Sequence, residues 1–222
     1  MRKLLAAIVD DDRGTVGDLL TADPGLASRL IPSPKLYDSG IFHWIYVGDT
    51  ALHLAAAGYR VEIVRLLLSV GADPNAAKNT RRSSPLHYAA DGFVTGAAWD
   101  PAKQVEIIRC LLDSGANLHL QDKNGATPLH RAVRTRCAGA VRCLLRAGGD
   151  PTIQNKSGST PFHLAVQNTG RGGTGEAVAV RAQREIIREF LALDMSPCLK
   201  AGMKRTVIES ARSVWIREML AD

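Results

Sequence analysis

The sequence predicts an all-α fold, in which helix pairs stack in one direction as a solenoid and β-hairpins or loops protrude from one edge. The first basis is a tetrapeptide whose four copies, TALH, SPLH, TPLH and TPFH, begin at Thr50, Ser84, Thr127 and Thr160. The second is an apolar phrase with helical periodicity behind each copy, such as VEIVRLLL from Val61. The third is a phrase of the type GADPN, GANLH or GGDPT behind three of the helical phrases. Self-similarity of this kind is typical of repeat architectures.

The period of the repeat is 33 residues once two insertions are recognised. The tetrapeptides begin 34, 43 and 33 residues apart. The second and fourth copies carry about 10 and 13 additional residues, and in both cases these precede the second helix. The same period then places a further unit at Thr206, where TVIESA begins.

Each unit carries residues that suit the start and end of its helices. Thr127 fits a helix N-cap, where its hydroxyl accepts a backbone N–H, and Pro128 fits the first helical position, where no N–H is needed. The alanines that follow allow close helix packing. Gly71, Gly115 and Gly148 are predicted to end the second helices in a left-handed conformation.

These motifs resemble the ankyrin repeat, a 33-residue unit with the signature T-P-L-H-x-A, and the clear similarity covers about residues 45–195. The resemblance implies a concave surface, built from hairpin tips and first-helix side chains, that holds another protein. It also implies that the histidine of each tetrapeptide is a structural hydrogen-bonding residue between repeats. We expect one ankyrin-repeat domain over 1–222, divided into an N-terminal cap with a long hairpin at 1–44, internal repeats at 45–78, 79–121, 122–154 and 155–200, and a C-terminal cap at 201–222.

The segment before the first clear repeat departs from the pattern. Pro32 and Pro34 exclude a helix, and Ile41–Val47 is rich in β-forming residues, so we expect an enlarged hairpin with its turn at Asp38–Gly40. This segment concentrates three aromatic residues, Phe42, Trp44 and Tyr46. Two interpretations stay open, because these rings can fold back over the N-terminal cap or form an exposed anchor for a partner.

The two insertions are expected to emerge from the same edge of the solenoid. Asp100 and Pro101 suit the start of the second helix after the first insertion, which leaves Phe93 and Trp99 as loop aromatics without an obvious place in the core. The second insertion is Gly-rich and is expected to end in an extension of the helix from about Glu176. Its GRGGTG segment at Gly170–Gly175 matches a phosphate-loop pattern, but a helical phrase precedes it and no G-K-[ST] step follows, so a flexible linker is favoured.

The sequence offers no set of residues for catalysis or for a metal. The four cysteines form no C-x-x-C pair, and no carboxylate or thiol accompanies the repeated histidines at ligand spacing. No run of 18 apolar residues exists, so no membrane span is predicted. We therefore expect a non-enzymatic, cytoplasmic and monomeric protein without a cofactor.

The distribution of charge points to the kind of partner. The net charge is +6, and the stretch from Lys123 to Gly149 holds six basic residues and no acidic one. A positive field of this kind favours an acidic protein partner with an apolar anchor. The alternative is a nucleic acid or another polyanion, although no recognition helix or stacking platform is evident.

The candidate partner-binding residues are the variable positions of the hairpin tips, the first helices and the insertions. They are Thr80, Arg81, Asp91, Phe93, Trp99, Lys123, Asn124, Arg134, Thr135, Arg136, Lys156, Ser157, Gln167, Asn168 and Arg171.

Overall fold

The computed structural model describes residues 1–37, 41, 43–92, 99–167, 177–200, 202 and 205–221. Over these residues the chain forms twelve α-helices, one short 3₁₀ helix (Pro24–Ala27) and one two-stranded antiparallel sheet. The strands are β1 (Lys35–Tyr37) and β2 (His43–Ile45). The helices are α1 (Arg2–Val9), α2 (Arg13–Ala22), α3 (Ala51–Ala57), α4 (Val61–Ser69), α5 (Pro85–Ala90), α6 (Pro101–Asp113), α7 (Pro128–Arg134), α8 (Ala138–Arg146), α9 (Pro161–Ala165), α10 (Ala177–Leu191), α11 (Val207–Ser210) and α12 (Val214–Ala221).

The helices form two parallel rows, as expected for stacked helix pairs. The first helices pack in the order α1, α3, α5, α7, α9 and α11, and the second helices pack in the order α2, α4, α6, α8 and α10. Apolar side chains between the rows form one continuous core. The backbone of Gly71, Gly115 and Gly148 is left-handed, with φ of 89°, 85° and 92°, which confirms the predicted ends of the second helices.

The tetrapeptide histidines join each unit to the next. The N-cap residue donates its backbone N–H to the histidine Nδ1, at 3.0 Å for Thr50 and His53 and at 3.1 Å for Ser84 and His87. With Nδ1 accepting, Nε2 carries the proton and donates to a carbonyl of the following unit. The Nε2 atoms of His53, His87, His130 and His163 lie 3.0, 2.9, 3.1 and 3.2 Å from the carbonyl oxygens of Ser83, Ala126, Ser159 and Arg205. This geometry confirms the structural role that the resemblance implies.

The loop tips between units are turns, and among the described residues they form no strands. Neighbouring tips are joined by hydrogen bonds. At the start of each tip, a side-chain oxygen of Asn79, Asp122 or Asn155 accepts backbone N–H groups two and four residues later. Neighbouring tips are then connected by backbone hydrogen bonds. These run from Thr80 N to Val47 O (3.1 Å), Lys123 N to Arg81 O (2.8 Å), Lys156 N to Asn124 O (2.9 Å) and Gly202 N to Gly158 O (3.0 Å).

The enlarged hairpin is present and lies along α3. At its base, Ile31 N donates to Asp49 O at 2.7 Å and Gly48 N donates to Ile31 O at 2.9 Å, beside the start of α3. Near its tip, Ile41 packs so closely on Gly58, behind the last turn of α3, that a Cβ at Gly58 would lie 2.9 Å from its side chain. The predicted turn at 38–40 and Phe42 lie outside the described residues.

In each unit with an insertion, a buried glutamine of the second helix donates a hydrogen bond to the first helix of the same unit. Gln104 Nε2 donates to Ala89 O at 2.9 Å, and Gln183 Nε2 donates to the equivalent Ala165 O at 2.7 Å. As predicted, Asp100 caps α6 and α10 begins at Ala177. The expectation for Trp99 was wrong, because its ring packs against the core and its Nε1 donates to Gln104 Oε1 at 3.0 Å. Residues 93–98 and 168–176, which include the GRGGTG segment, lie outside the described residues.

Candidate functional site

A buried arginine links units two and three. Arg131 occupies the position after the tetrapeptide histidine, where the other units carry Leu54, Tyr88 and Leu164. Its Nη2 lies 2.6 Å from Asp122 Oδ2, and its Nη1 lies 3.0 Å from Asp91 Oδ2. Because Asp122 stands where its neighbouring units carry asparagine, one of its oxygens supports the loop turn while the other pairs with Arg131.

Asp91 connects this pair to two further side chains, Arg134 and His43. The Nη2 atom of Arg134 and the Nε2 atom of His43 each lie 3.8 Å from Asp91 Oδ2. Burial opposes ionisation of Asp91, but the neighbouring side chain of His43 and the charge of Arg131 hold its pKa well below the ordinary value. The pKa of Asp122 is also lowered, because Arg131 outweighs the effect of burial. The carboxylates are therefore charged at neutral pH.

The first helices and the loop tips form one face, which we call the inner face, and the hairpin covers it over α3 and α5. The ring of His43 lies 4.5 Å from that of Tyr88 on α5, and the hydroxyl of Tyr88 donates to Asp49 Oδ2 at 2.7 Å. Ile41 and Ile45 are buried on the same side of the hairpin. The inner face over α3 and α5 is therefore occupied by the chain itself.

The inner face over α7 and α9 is open and forms a groove of about 270 Å³. Its walls include Arg134, whose side chain is 47% exposed, and Lys156, which is exposed at a loop tip. Asn124 and Ser157 add polar groups and Leu164 adds an apolar one. This arrangement can receive an extended chain that carries negative charge.

Comparisons with known protein families agree with the repeats seen in the structure. A family model for three copies of the ankyrin repeat matches residues 95–192, and a single-repeat model matches residues 47–79, so the two together cover more than half of the chain. The chain belongs to the ankyrin-repeat family. Ankyrin repeats are in general protein-interaction modules, and this ankyrin-repeat chain has the same repeat organisation.

The relatives share the repeats with this ankyrin-repeat chain over only small parts of their length. The chain is 37% identical over 95 residues to the Neurogenic locus Notch protein of Drosophila melanogaster, which is 42% of this chain and 3% of that protein. It is 34% identical over 113 residues to human Ankyrin repeat and SOCS box protein 3, covering 40% of this chain and 22% of the relative. The E3 ubiquitin-protein ligase KEG of Arabidopsis thaliana is 35% identical over 72 residues, which is 32% of this chain and 4% of the ligase. Some relatives thus have enzyme names, but the match covers a small share of each.

Some of the predicted partner-binding residues lie at the open groove or at the loop tips. Arg134, Asn124, Lys156 and Ser157 line the groove itself. Thr80 and Lys123 are exposed at neighbouring loop tips, and Arg81 is half-buried, with its guanidinium 5.4 Å from the centre of the Tyr46 ring.

Other predicted residues are buried and serve the packing of the repeats. Asp91 belongs to the Arg131 network, Thr135 Oγ1 donates to Arg131 O at 2.9 Å, and Arg136 Nη1 donates to Gln183 Oε1 at 2.9 Å. Gln167 is partly buried, and its carbonyl accepts from Gln183. Phe93, Asn168 and Arg171 lie outside the described residues.

Arg131 and Asp122 are central residues that sequence reasoning missed. The signal was available, because a charged residue at a position that is leucine or tyrosine in the other units requires a buried partner. The coverage of the inner face by the hairpin carries no comparable signal.

The described residues contain no group of three or more His, Cys, Asp or Glu side chains that could hold a metal ion. Among the same residues, no helix has both the length and the apolar character needed to cross a bilayer.

Proposed function

We propose that this protein is a non-enzymatic interaction scaffold whose open inner face, over units three and four, binds an acidic segment of another protein. The observation that carries the proposal is the groove between α7 and α9, which has Arg134 and Lys156 in its walls. A carboxylate in the groove would meet two cationic side chains and polar groups at the loop tips.

The restriction to the second half of the inner face follows from the hairpin. A partner that approached α3 or α5 would first meet β1 and β2, since His43 and Ile45 cover the inner helices there. The two insertions are anchored at α5 and α9, on either side of α7. These anchoring contacts support a role in partner binding for the two insertions.

The test selects peptides from a random display library against the purified protein and measures the affinity of the selected peptides by fluorescence anisotropy. We expect peptides rich in Asp and Glu. In the groove variant, Lys156→Glu is combined with Arg134→Gln, because a glutamate at position 134 would also repel buried Asp91. This variant should weaken binding about tenfold, which corresponds to about 1.4 kcal/mol.

The matched control makes the same change of charge on the outer helices, with Arg146→Glu on α8 and Arg188→Gln on α10. Both side chains are exposed on second helices. Equal losses in the two variants would show a general charge effect and contradict the groove. A gel shift with double-stranded DNA or RNA that the groove variant abolishes, without any enrichment of acidic peptides, would favour the polyanion alternative.

A further inference from the structure

The hairpin and its base present four exposed apolar side chains among the described residues. Leu36 and Trp44 stand directly opposite one another in the β1–β2 register and are 40% and 47% exposed. Leu30 and Val47, at the base of the same hairpin, are also exposed. We call the Leu36–Trp44 pair, together with Leu30 and Val47, the hairpin patch.

The hairpin patch lies on a strand pair whose opposite face is packed against the helices. Because side chains alternate along a strand, the residues next to Trp44 face the opposite way. Ile45 is fully buried there, and His43 packs on Tyr88. Trp44 is therefore held out by a strand whose other face is already packed, and little further ordering is needed for it to act as an interface anchor.

The described strands of the hairpin and the neighbouring loop tip carry only cations among their exposed and half-buried charged side chains. Every charged side chain in residues 30–37, 43–48 and 78–82 is cationic, namely Lys35, Lys78, Arg81 and Arg82. Two of them adjoin the hairpin directly: Arg81 stacks on Tyr46, and the backbone of Lys78 packs against Gly48. A partner for this surface must bring an apolar group within an acidic surrounding.

The hairpin that carries this patch also adjoins the groove, through its packed face. His43 in β2 and Arg134 in the groove wall both lie 3.8 Å from the same oxygen of Asp91. Trp44 follows His43 in the strand, so an extended segment that leaves the groove at Arg134 reaches the hairpin within a few residues.

We infer that the outer face of the hairpin is an anchor site for one large apolar side chain, aromatic or leucine, within the acidic segment that the groove binds. This inference rests on the proposed function and adds a requirement to it. The recognised segment has two parts: carboxylates for the groove, and a bulky apolar residue on one side of them for Leu36 and Trp44.

The test repeats the selection from the random peptide library with three proteins, namely the wild type, the groove variant and a patch variant with Leu36→Ser and Trp44→Ala. Both patch positions are exposed, so circular dichroism should show an unchanged fold. We expect wild-type peptides to combine Asp or Glu with Phe, Trp or Leu at a constant spacing. The patch variant should lose at least tenfold in affinity for them and should select acidic peptides without the apolar residue.

A second readout follows Trp44 itself. A variant with Trp99→Phe and Trp215→Phe leaves Trp44 as the only tryptophan, and its emission should shift to the blue when a selected peptide is added. The same peptide with its apolar residue changed to Ser should give no shift.

The outcomes separate this inference from the proposed function. If the selected peptides are acidic without an apolar residue, and the wild type and the patch variant bind them equally, the anchor site is contradicted while binding in the groove still holds. Apolar peptides without acidic residues would overturn the groove and the combined segment. Sedimentation that shows a dimer abolished by Trp44→Ala would assign the hairpin patch to a second copy of the chain and overturn the inference, as would the absence of any enriched peptide.

Discussion

Arg131 shows how one side chain can tie several units of a solenoid together. Its guanidinium reaches Asp91 at the end of α5, Asp122 at a loop tip and the hydroxyl of Ser83 in the preceding loop. A buried ion pair is weak evidence for stability when it is compared with a packed apolar pair, but removal of one partner leaves a buried charge uncompensated. The network should therefore be sensitive to single changes and tolerant of paired ones.

We predict that Arg131→Leu lowers the free energy of unfolding by about 3–5 kcal/mol, since Asp122 then keeps its charge without the guanidinium. Combining it with Asp122→Asn reproduces the Leu and Asn pattern of the fourth unit, Leu164 and Asn155. The double variant should recover part of the loss, since Asp91 still lacks Arg131 but keeps Arg134 and His43 as neighbours. Urea denaturation of both variants measures the difference. A double variant less stable than the single one would contradict this account of the network.

At the level of elements, the hairpin has two faces with different roles. Its inner face packs on α3 and α5 through Ile41, His43 and Ile45, while its outer face presents Leu36 and Trp44. An isolated two-stranded hairpin is marginally stable, so the order of these strands depends on the helices beneath them.

Ile45→Ala should therefore cost about 2–5 kcal/mol, because it removes a fully buried side chain from between the hairpin and α3. Leu36→Ala, on the outer face of the paired strand, should change the free energy of unfolding by less than about 0.5 kcal/mol. Chemical denaturation gives both values, and hydrogen exchange should show faster exchange of the β1 and β2 amides in the Ile45 variant alone. Similar costs for the two variants would show that the hairpin does not pack as described.

The elements were largely predictable because their signals are local. The Thr-Pro starts, the glycine ends and the Asp100 cap each concern one turn of backbone, and each was found where expected. The extent of the hairpin was indicated by Pro32, Pro34 and the β-forming run that follows. Its docking along α3 was not predictable, because it depends on contacts such as Ile41 with Gly58 that leave no periodic trace.

The residues predicted for the candidate site divide into exposed ones and buried ones. Arg134 and Lys156 were named from charge and repeat position, and both line the groove. Arg136 was named for the same reasons but is buried against Gln183, since its backbone sits in the left-handed turn between α7 and α8. Charge alone does not distinguish a groove cation from one that satisfies a buried amide.

At the level of the whole molecule, one imidazole contact recurs at four junctions between units. Burial favours the neutral ring, and it lowers the pKa of His53, His87, His130 and His163 from the ordinary 6.5. For His87 the pKa falls to about 4, through burial first and the charge of Arg131 second. The stability of the stack is thus linked to protonation along its whole length.

We predict that the free energy of unfolding is greatest above pH 6.5 and decreases as the pH falls toward 4. Below pH 6.5 the histidines of the unfolded chain bind protons, whereas the native imidazoles stay neutral. His87 alone accounts for about 3 kcal/mol of the decrease in the free energy of unfolding. Below about pH 4 the carboxylates of Asp91 and Asp122, whose native pKa values are lowered, add a second loss.

Urea denaturation at a series of pH values tests this dependence. His87→Gln keeps an acceptor and a donor at the N3 position and should flatten the slope between pH 6.5 and 4. An unchanged slope in this variant would assign the dependence to other groups.

The backbone hydrogen bonds between loop tips have a consequence for recognition. Because Thr80, Lys123 and Lys156 each donate to the tip before them, the tips cannot shift independently. Their spacing is fixed by the distance between stacked helices, about 8–10 Å. The loop tips therefore present binding groups at a fixed interval. A partner whose carboxylates have the same interval can contact successive tips without rearranging them. One extra residue between its acidic positions would move the next carboxylate away from its tip.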